Sequence, residues 1–489
     1  SPAPLTKLHF QYQIIAEVCY MPQKSLLITN GTVAHSDKLD ESDILVLGET
    51  IAQIEKNISF DADRVIDASN MLVLPGGVDS HCHIEQRSAS GLINSDTFYT
   101  GTHAAALGGN TSVIPFAAQY DGDSLIKVVE DYHQLANKGA LVDYSMHMII
   151  AGPSQNVINE ELPKLIKEGH SSIKIFMTYD RLRIDDKSIL EILNKAKENG
   201  AMVSVHAENH EMITNKVTEL LNSECYHPKY HTDSHPVEGE VDAFERIIKM
   251  SEVTEQPIMI FHVSSEKGLS VIRDAKKRGV HFFAETCTQY LTLNSKLLDQ
   301  EIVTDGAKWI CSPPIRDKND SVALWSGLED NILDCVTSDH APYSFDSEGK
   351  FFKGNNPNFK EIPNGMPGLH WRLPVILDHI LQKKSKLSIL DFVRITSTTP
   401  AKIYGLFPKK GQINIGSDAD IVIWDTNKNM LLSDSMVVDG SKYNPYKDFK
   451  VTCWPKEVIL RGNTIVEDND LKADQGSGKF IPTALSEYI

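Results

Sequence analysis

A chain of 489 residues is too long for one hydrophobic core of ordinary size, so one large domain with a smaller one attached is expected. Its hydrophobic (41%) and charged (23%) shares are those of a folded globular chain and exclude general disorder. A formal net charge of -18, with pI near 5.4, excludes a general affinity for nucleic acid or anionic membrane, which would need a basic face, and leaves small molecules and further copies of the chain as partners.

Residues 1–24 read as an N-terminal extension: Ile14-Ile15-Ala16 is apolar, but the basic start and long apolar core of a signal peptide are missing. Seven cysteines lie scattered without a Cys-x-x-Cys spacing, which points to a reducing cytosol. No run approaches the roughly 20 consecutive apolar residues of a membrane span. Residues 25–70 read as short strands broken by turns, with Leu26–Ile28, Asp43–Leu47 and Ile51–Ile54 separated by Asn30-Gly31 and Gly48.

From 71 to 407 apolar strands alternate with amphipathic helices, the pattern of a parallel sheet. The eight candidate strands are Met71–Asp79, Thr111–Phe116, Val142–Ile150, Ser172–Met177, Ala201–Val205, Pro257–His262, His281–Ala284 and Leu333–Thr337. Eight such units suggest a closed barrel. Helices over Ser95–Leu107, Ser124–Asn137 and Asp186–Glu198 each run into a glycine. A long loop, Ala341–Gly368, precedes helices near His370–Gln382 and Ile389–Ser397. A β pattern returns over 408–467, at Gly411–Asn414, Ala419–Trp424, Glu457–Leu460 and Thr464–Val466. The fold class is therefore α/β: a (β/α)8 TIM-like barrel with a small β-sandwich built from both ends of the chain. The tail, 468–489, is expected to reach over a neighbouring subunit or to move.

The rest of the chain is organised around Pro75-Gly-Gly-Val-Asp-Ser-His81-Cys-His83-Ile-Glu-Gln86, where an apolar run ends in two histidines one residue apart. Strand alternation puts His81 and His83 on one side and Cys82 on the other, so both imidazoles can reach one metal. In a βα barrel the site lies at the C-terminal strand ends. The later strands supply Lys174 inside an apolar run, then His206, His262 and Asp339. Singly, each reads as an ordinary core or surface polar residue. Five candidate ligands and a buried lysine, all at the required strand ends, do not. A buried ammonium is costly, so Lys174 must be paired or chemically altered.

With these segments in view the chain resembles the amidohydrolase superfamily, and within it the dihydropyrimidinases and D-hydantoinases. The likeness runs from Ser25 to about Asp468 and rests on Pro75–His83, Ser172–Tyr179, His206–Asn209, Val237–Glu240, His262–Ser265, Ala284–Tyr290, Cys311–Arg316, Ser338–Pro342 and Ile362–Gly368. It implies two zinc ions per subunit: one on His81 and His83, the other on His206 and His262, bridged by Lys174 carboxylated at its amine and by a hydroxide, with Asp339 a further ligand of the first. A lysine gives up its charge for such chemistry only when burial and nearby cations lower its pKa.

Asp339 is then the expected carrier of a proton from the attacking water to the leaving ring nitrogen. Tyr179 is the expected hydrogen-bond donor to the oxyanion. The resemblance assigns backbone groups of Ser312 and Asn364 to the imide edge of the ring. The activity it implies is dihydropyrimidinase, ring opening of 5,6-dihydrouracil and dihydrothymine to N-carbamoyl-β-amino acids in reductive pyrimidine catabolism, by a cytoplasmic homotetramer. The alternatives are a D-hydantoinase, imidase or allantoinase with the same centre, and a non-catalytic scaffold like the collapsin-response mediator proteins, which the filled ligand positions disfavour. The loop Ile84–Ile93 departs from relatives where it would border the ring substituent, so the preferred substrate stays open. His103, His133, His147 and His170 read as ordinary polar positions, and Cys287 and Cys311 lack a neighbouring base that would make a thiol nucleophile. Glu238 and Glu240 begin a helix and have a structural reading, and no role is given to His235.

Overall fold

The computed structural model describes residues 23–88 and 91–488; the N-terminal extension apart from Gln23 and Lys24 lies outside them, as do Ala89 and Ser90 of the loop after the histidine pair. Eight parallel strands build the barrel: Gly77–Asp79, Asn110–Val113 continued by Phe116–Gln119, Asp143–Tyr144 continued by His147–Ile150, Ser172–Phe176, Met202–His206, Ile258–Ile260, Phe283–Cys287 and Cys335–Thr337. Pro115, which has no backbone N–H, interrupts the second of them. The ring is completed where Cys82 pairs with His340 and the His83 N–H donates to the His340 carbonyl (2.6 Å). These strands are covered on both faces, which is why Ile173, Val203, Val205, Ile258 and Ile260 are wholly buried and the sequence reads as apolar runs.

The helices open on side-chain caps visible in the sequence. Thr97, Ser124, Asp185, Asn209 and Ser265 each accept from the backbone N–H three residues on. The first three launch Phe98–Leu107, Leu125–Gly139 and Asp186–Asn199, and Gly200 closes the last in the left-handed conformation.

Strands from both chain ends form one sheet. Its order is Asp470–Leu471, Asn463–Glu467, Trp454–Leu460, Ile421–Asp425, Leu72–Pro75, Ser25–Ala34, Leu39–Leu47, Thr50–Glu55, with Arg64–Asp67 beside Ser25–Ala34. The sheet folds over on itself as a sandwich, because Thr50 at one edge pairs with Asp418. Ile28, Val33, Ile44, Val73, Ile421 and Ile459 fill the enclosed core. At the junction with the barrel the buried Lys410 ammonium meets Asp143 (2.5 Å), Asp418 (2.9 Å) and Asp420 (2.8 Å).

Four expectations change. The single strand Met71–Asp79 is two: Leu72–Pro75 belongs to the sandwich and Gly77–Asp79 to the barrel. The crossing falls at Gly76, where a Cβ would stand 1.9 Å from Thr111 Oγ1, so only glycine passes. Gly411–Asn414 is irregular chain; it gives Ile413 to the sandwich core without joining the ladder. The seventh barrel strand lies at Phe283–Cys287 instead of His281–Ala284, because Glu285, which meets His81 inside the barrel, and Thr286, whose hydroxyl donates to the Val263 carbonyl (2.8 Å), break the apolar run. The tail is seated on its own barrel: Phe480 pairs with Tyr144, and the N–H groups of Ile481 and Thr483 donate to the carbonyls of Tyr144 and Gly169. The short strand Asp143–Tyr144 leaves backbone groups that need these partners.

Candidate metal centre

His81 and His83 follow the first barrel strand, His206 ends the fifth, His262 lies two residues past the sixth and Asp339 two past the eighth. The strand ends bring them together. Asp339 Oδ1 is 3.0 Å from His81 Nε2 and 3.2 Å from His83 Nε2, and His206 Nδ1 is 2.8 Å from His262 Nε2. His81, His262 and Asp339 offer ligand atoms within 4.8 Å of one another. Both His262 (φ 37°) and Asp339 (φ 45°) hold the left-handed backbone that turns each side chain back over the barrel mouth. Cys82 points away into the apolar core, as alternation predicts.

Three imidazoles have their outward nitrogen tied. His81 Nδ1 meets Glu285 Oε1, His83 Nδ1 donates to Gln86 Oε1 (2.6 Å), and His206 Nε2 meets Glu208 Oε1 (2.7 Å). Each tie fixes ring orientation and leaves the other nitrogen aimed inward. Burial holds His83, His206 and His262 below the ordinary imidazole range, hence neutral. Burial also lowers His81, but the carboxylates of Asp339 and Glu285 outweigh it and lift the ring to about 9. Burial pushes the Asp339 carboxyl up, yet His81 and His83 hold it well below the usual range. Inward-facing imidazole nitrogens grouped on one carboxylate oxygen fit a divalent cation of the zinc type.

Lys174, at 1% exposure, lines the same cavity as these histidines. Its Nζ faces the rings of Phe261 (3.8 Å to the centroid) and Phe176 (4.6 Å), and burial lowers it to about 7. Tyr179 (φ 75°) turns its hydroxyl toward Ser312 and Asn364. Ser312 Oγ donates to Glu208 Oε1 (3.0 Å), so one carboxylate oxygen links His206 to the rim. Lys174, Phe176, Tyr179, Ser312 and Asn364 line a cavity of about 300 Å³ together with the histidines and Asp339, with Leu92, Tyr120, Tyr343 and Phe352 forming further wall. That is the lower end of small-molecule sites.

All the sequence-predicted site residues line this cavity. His147, buried between Ser80 O (2.7 Å) and Ser172 Oγ (2.6 Å), and His133, against Tyr144 and His170, are satisfied structural histidines. Glu240 accepts from the N–H and Oγ of Ser264 and from Ser265, fixing the chain just after His262, whereas Glu238 pairs with Lys267 at the surface. Sequence reasoning missed Glu285, Gln86, Glu208 and Lys350. For Glu285, Gln86 and Glu208 the available signal was a carboxylate or amide in or just after a barrel strand, which becomes specific only once its partner is known; Lys350, in the long loop, carried no such signal.

Glu285→Gln keeps an acceptor for His81 but removes the charge. Affinity for a divalent metal ion is expected to fall about 10-fold, at the lower end of such losses. Chelator competition would measure this, and unchanged affinity would count against an orienting role.

The Amidohydrolase family profile matches residues 72–465. The chain is 37% identical over 456 residues to a D-hydantoinase of Rhizobium radiobacter, covering 93% of this chain and 98% of that protein. It is 36% identical over 460 residues to a D-hydantoinase of Geobacillus stearothermophilus, covering 94% and 96%. The crystal structure of dihydropyrimidinase from Brevibacillus agri NCHU1002 superposes with a TM-score of 0.90 at 34% identity, covering 94% and 99%.

Proposed function

This chain belongs to the amidohydrolase family, and from that premise we propose that it is a dihydropyrimidinase, opening 5,6-dihydrouracil and dihydrothymine to N-carbamoyl-β-amino acids. It is a hydrolase of cyclic amide C–N bonds. The observation that carries the reading is the meeting of His81, His83, His206, His262 and Asp339 around one cavity that the buried Lys174 also lines, with Tyr179, Ser312 and Asn364 in its wall. In this reading His81, His83 and Asp339 would hold one zinc and His206 and His262 the other, and Lys174, carboxylated at its amine, would supply a further anionic ligand. The pair would supply a hydroxide at neutral pH and polarise the amide carbonyl.

The protein's own groups do the rest. Asp339, ionised at rest, takes the proton of the attacking water and returns it to the leaving ring nitrogen. Tyr179 donates to the oxyanion; burial raises its hydroxyl, which keeps the proton available for donation. Backbone groups of Ser312 and Asn364 hold the N–H and carbonyls of the imide edge. Gly365 (φ 152°) lets the chain close there, since a Cβ would stand 2.3 Å from the Ala341 carbonyl oxygen. A cytoplasmic homotetramer completes the proposal.

D-hydantoinase is the second reading, favoured by the names of the relatives. Hydrolysis assays on dihydrouracil, hydantoin, allantoin and succinimide separate the two and test the class: dihydrouracil is expected to give the highest kcat/KM, and no turnover of any ring would overturn both. Tyr179→Phe is expected to lower kcat about 10²–10³-fold with metal content unchanged. An undiminished kcat would remove Tyr179 from the oxyanion.

A further inference from the structure

Lys350 sits in the long loop between the eighth barrel strand and the helix Arg372–Leu381, yet it is wholly buried. A tight turn delivers it inward: the Lys350 N–H donates to the Ser344 carbonyl (2.8 Å), and Gly349 packs so closely that a Cβ would stand 2.2 Å from that same oxygen. Its Nζ donates to three backbone carbonyls, Ile310 (3.0 Å), Pro363 (2.8 Å) and Gly365 (2.6 Å). An ammonium has three N–H donors and no acceptor, so these three carbonyls saturate it. Burial draws the amine down to about 7, while three carbonyl acceptors favour the charged form, the only state with three donors.

The bonded carbonyls belong to the two chain segments assigned above to the ring's imide edge. Ile310 leads into Cys311-Ser312, and Pro363 and Gly365 flank Asn364. The Gly365 N–H donates to the same Ile310 oxygen (3.0 Å), and His231 Nε2 donates to the Cys311 carbonyl (2.7 Å), so the peptide planes on both sides of the edge are fixed. Among the described residues no carboxylate pairs with Lys350, which leaves fixing these planes as its only polar contact.

We propose that Lys350 is a positioning residue for substrate binding: its ammonium ties the Ile310, Pro363 and Gly365 carbonyls and thereby sets the backbone groups of Ser312 and Asn364 at the spacing of a cyclic imide edge. This rests on the ring-binding assignment of those two residues. Because Lys350 touches neither the histidines nor Asp339, its loss is felt in binding and not in the metal centre.

The test uses Lys350→Met and Lys350→Gln in the full chain. Each is assayed for metal content, for kcat and KM on the ring the wild type opens best, and for amide hydrogen exchange in peptides spanning 310–313 and 362–366. Lys350→Met is expected to raise KM about 10-fold or more with kcat within about threefold, metal content unchanged and faster exchange confined to those peptides. Lys350→Gln, which keeps two donors, is expected to fall between it and the wild type. KM within about twofold of wild type in the methionine variant overturns the proposal, as does a parallel loss of metal, kcat and KM, which would mark a general structural role. If the methionine variant does not accumulate, the glutamine variant decides by the same split. If the wild type opens none of the rings, the proposed function fails, and localised exchange still decides separately whether Lys350 holds these segments.

Discussion

Lys174→Ala is expected to strip most of the metal from the centre and to lower kcat about 10³-fold or more, beyond the roughly 10–100-fold that follows loss of an outer hydrogen-bond partner. The side chain is buried against Phe261 and Phe176, and burial brings its amine down to about 7, so its neutral form is accessible near neutral pH. A neutral amine takes up CO2 with release of one proton, and the resulting carbamate would offer a metal centre one negative charge and two oxygens. The sign of the pH effect follows. Below pH 7 the amine is protonated and unreactive, above it the neutral share grows. Metal-free protein given zinc and bicarbonate is therefore expected to regain activity faster at pH 8 than at pH 6. Elemental analysis and reactivation rates measure both effects, and an alanine variant that keeps its metal and full turnover would remove the carbamate.

Asp339→Asn is expected to cost about 10²–10⁴-fold in kcat while much of the metal stays bound, because four imidazoles remain to hold it. Asparagine has the same shape and tolerates the positive φ of this position, so the backbone is retained. What it lacks is the ability to take up a proton as the attack develops. Steady-state kinetics alongside metal analysis test this, and an unchanged rate would exclude Asp339 as proton carrier.

The elements were legible where the physics is local. The helical stripes, the glycine at 200 and the apolar barrel strands are all written within a few residues. Polar strand interiors were not: Glu285 and Thr286 hid the seventh strand, because a barrel interior near a functional mouth admits charged groups that an apolar pattern excludes. The histidines, Lys174 and Asp339 could be picked out because barrel topology states in advance which end of each strand to inspect. Their supporting groups could not. Glu285 is 204 residues from His81, and Lys350 lies 40 residues from the Ile310 carbonyl it holds. Neither has a neighbour in sequence that reveals its partner.

By itself the sequence determined the strand and helix alternation, the barrel class and the residue types gathered at the strand ends, since propensity, periodicity and capping act over one or two turns of chain. Only the tertiary structure decided that Gly76 divides one apolar run between two sheets, that the tail lies on its own barrel, and that Glu285, Glu208 and Lys350 orient the groups around the cavity. Those outcomes depend on which buried donor finds which acceptor across the molecule, and an unpaired buried polar group costs enough that the whole fold, not the local stretch, settles the match.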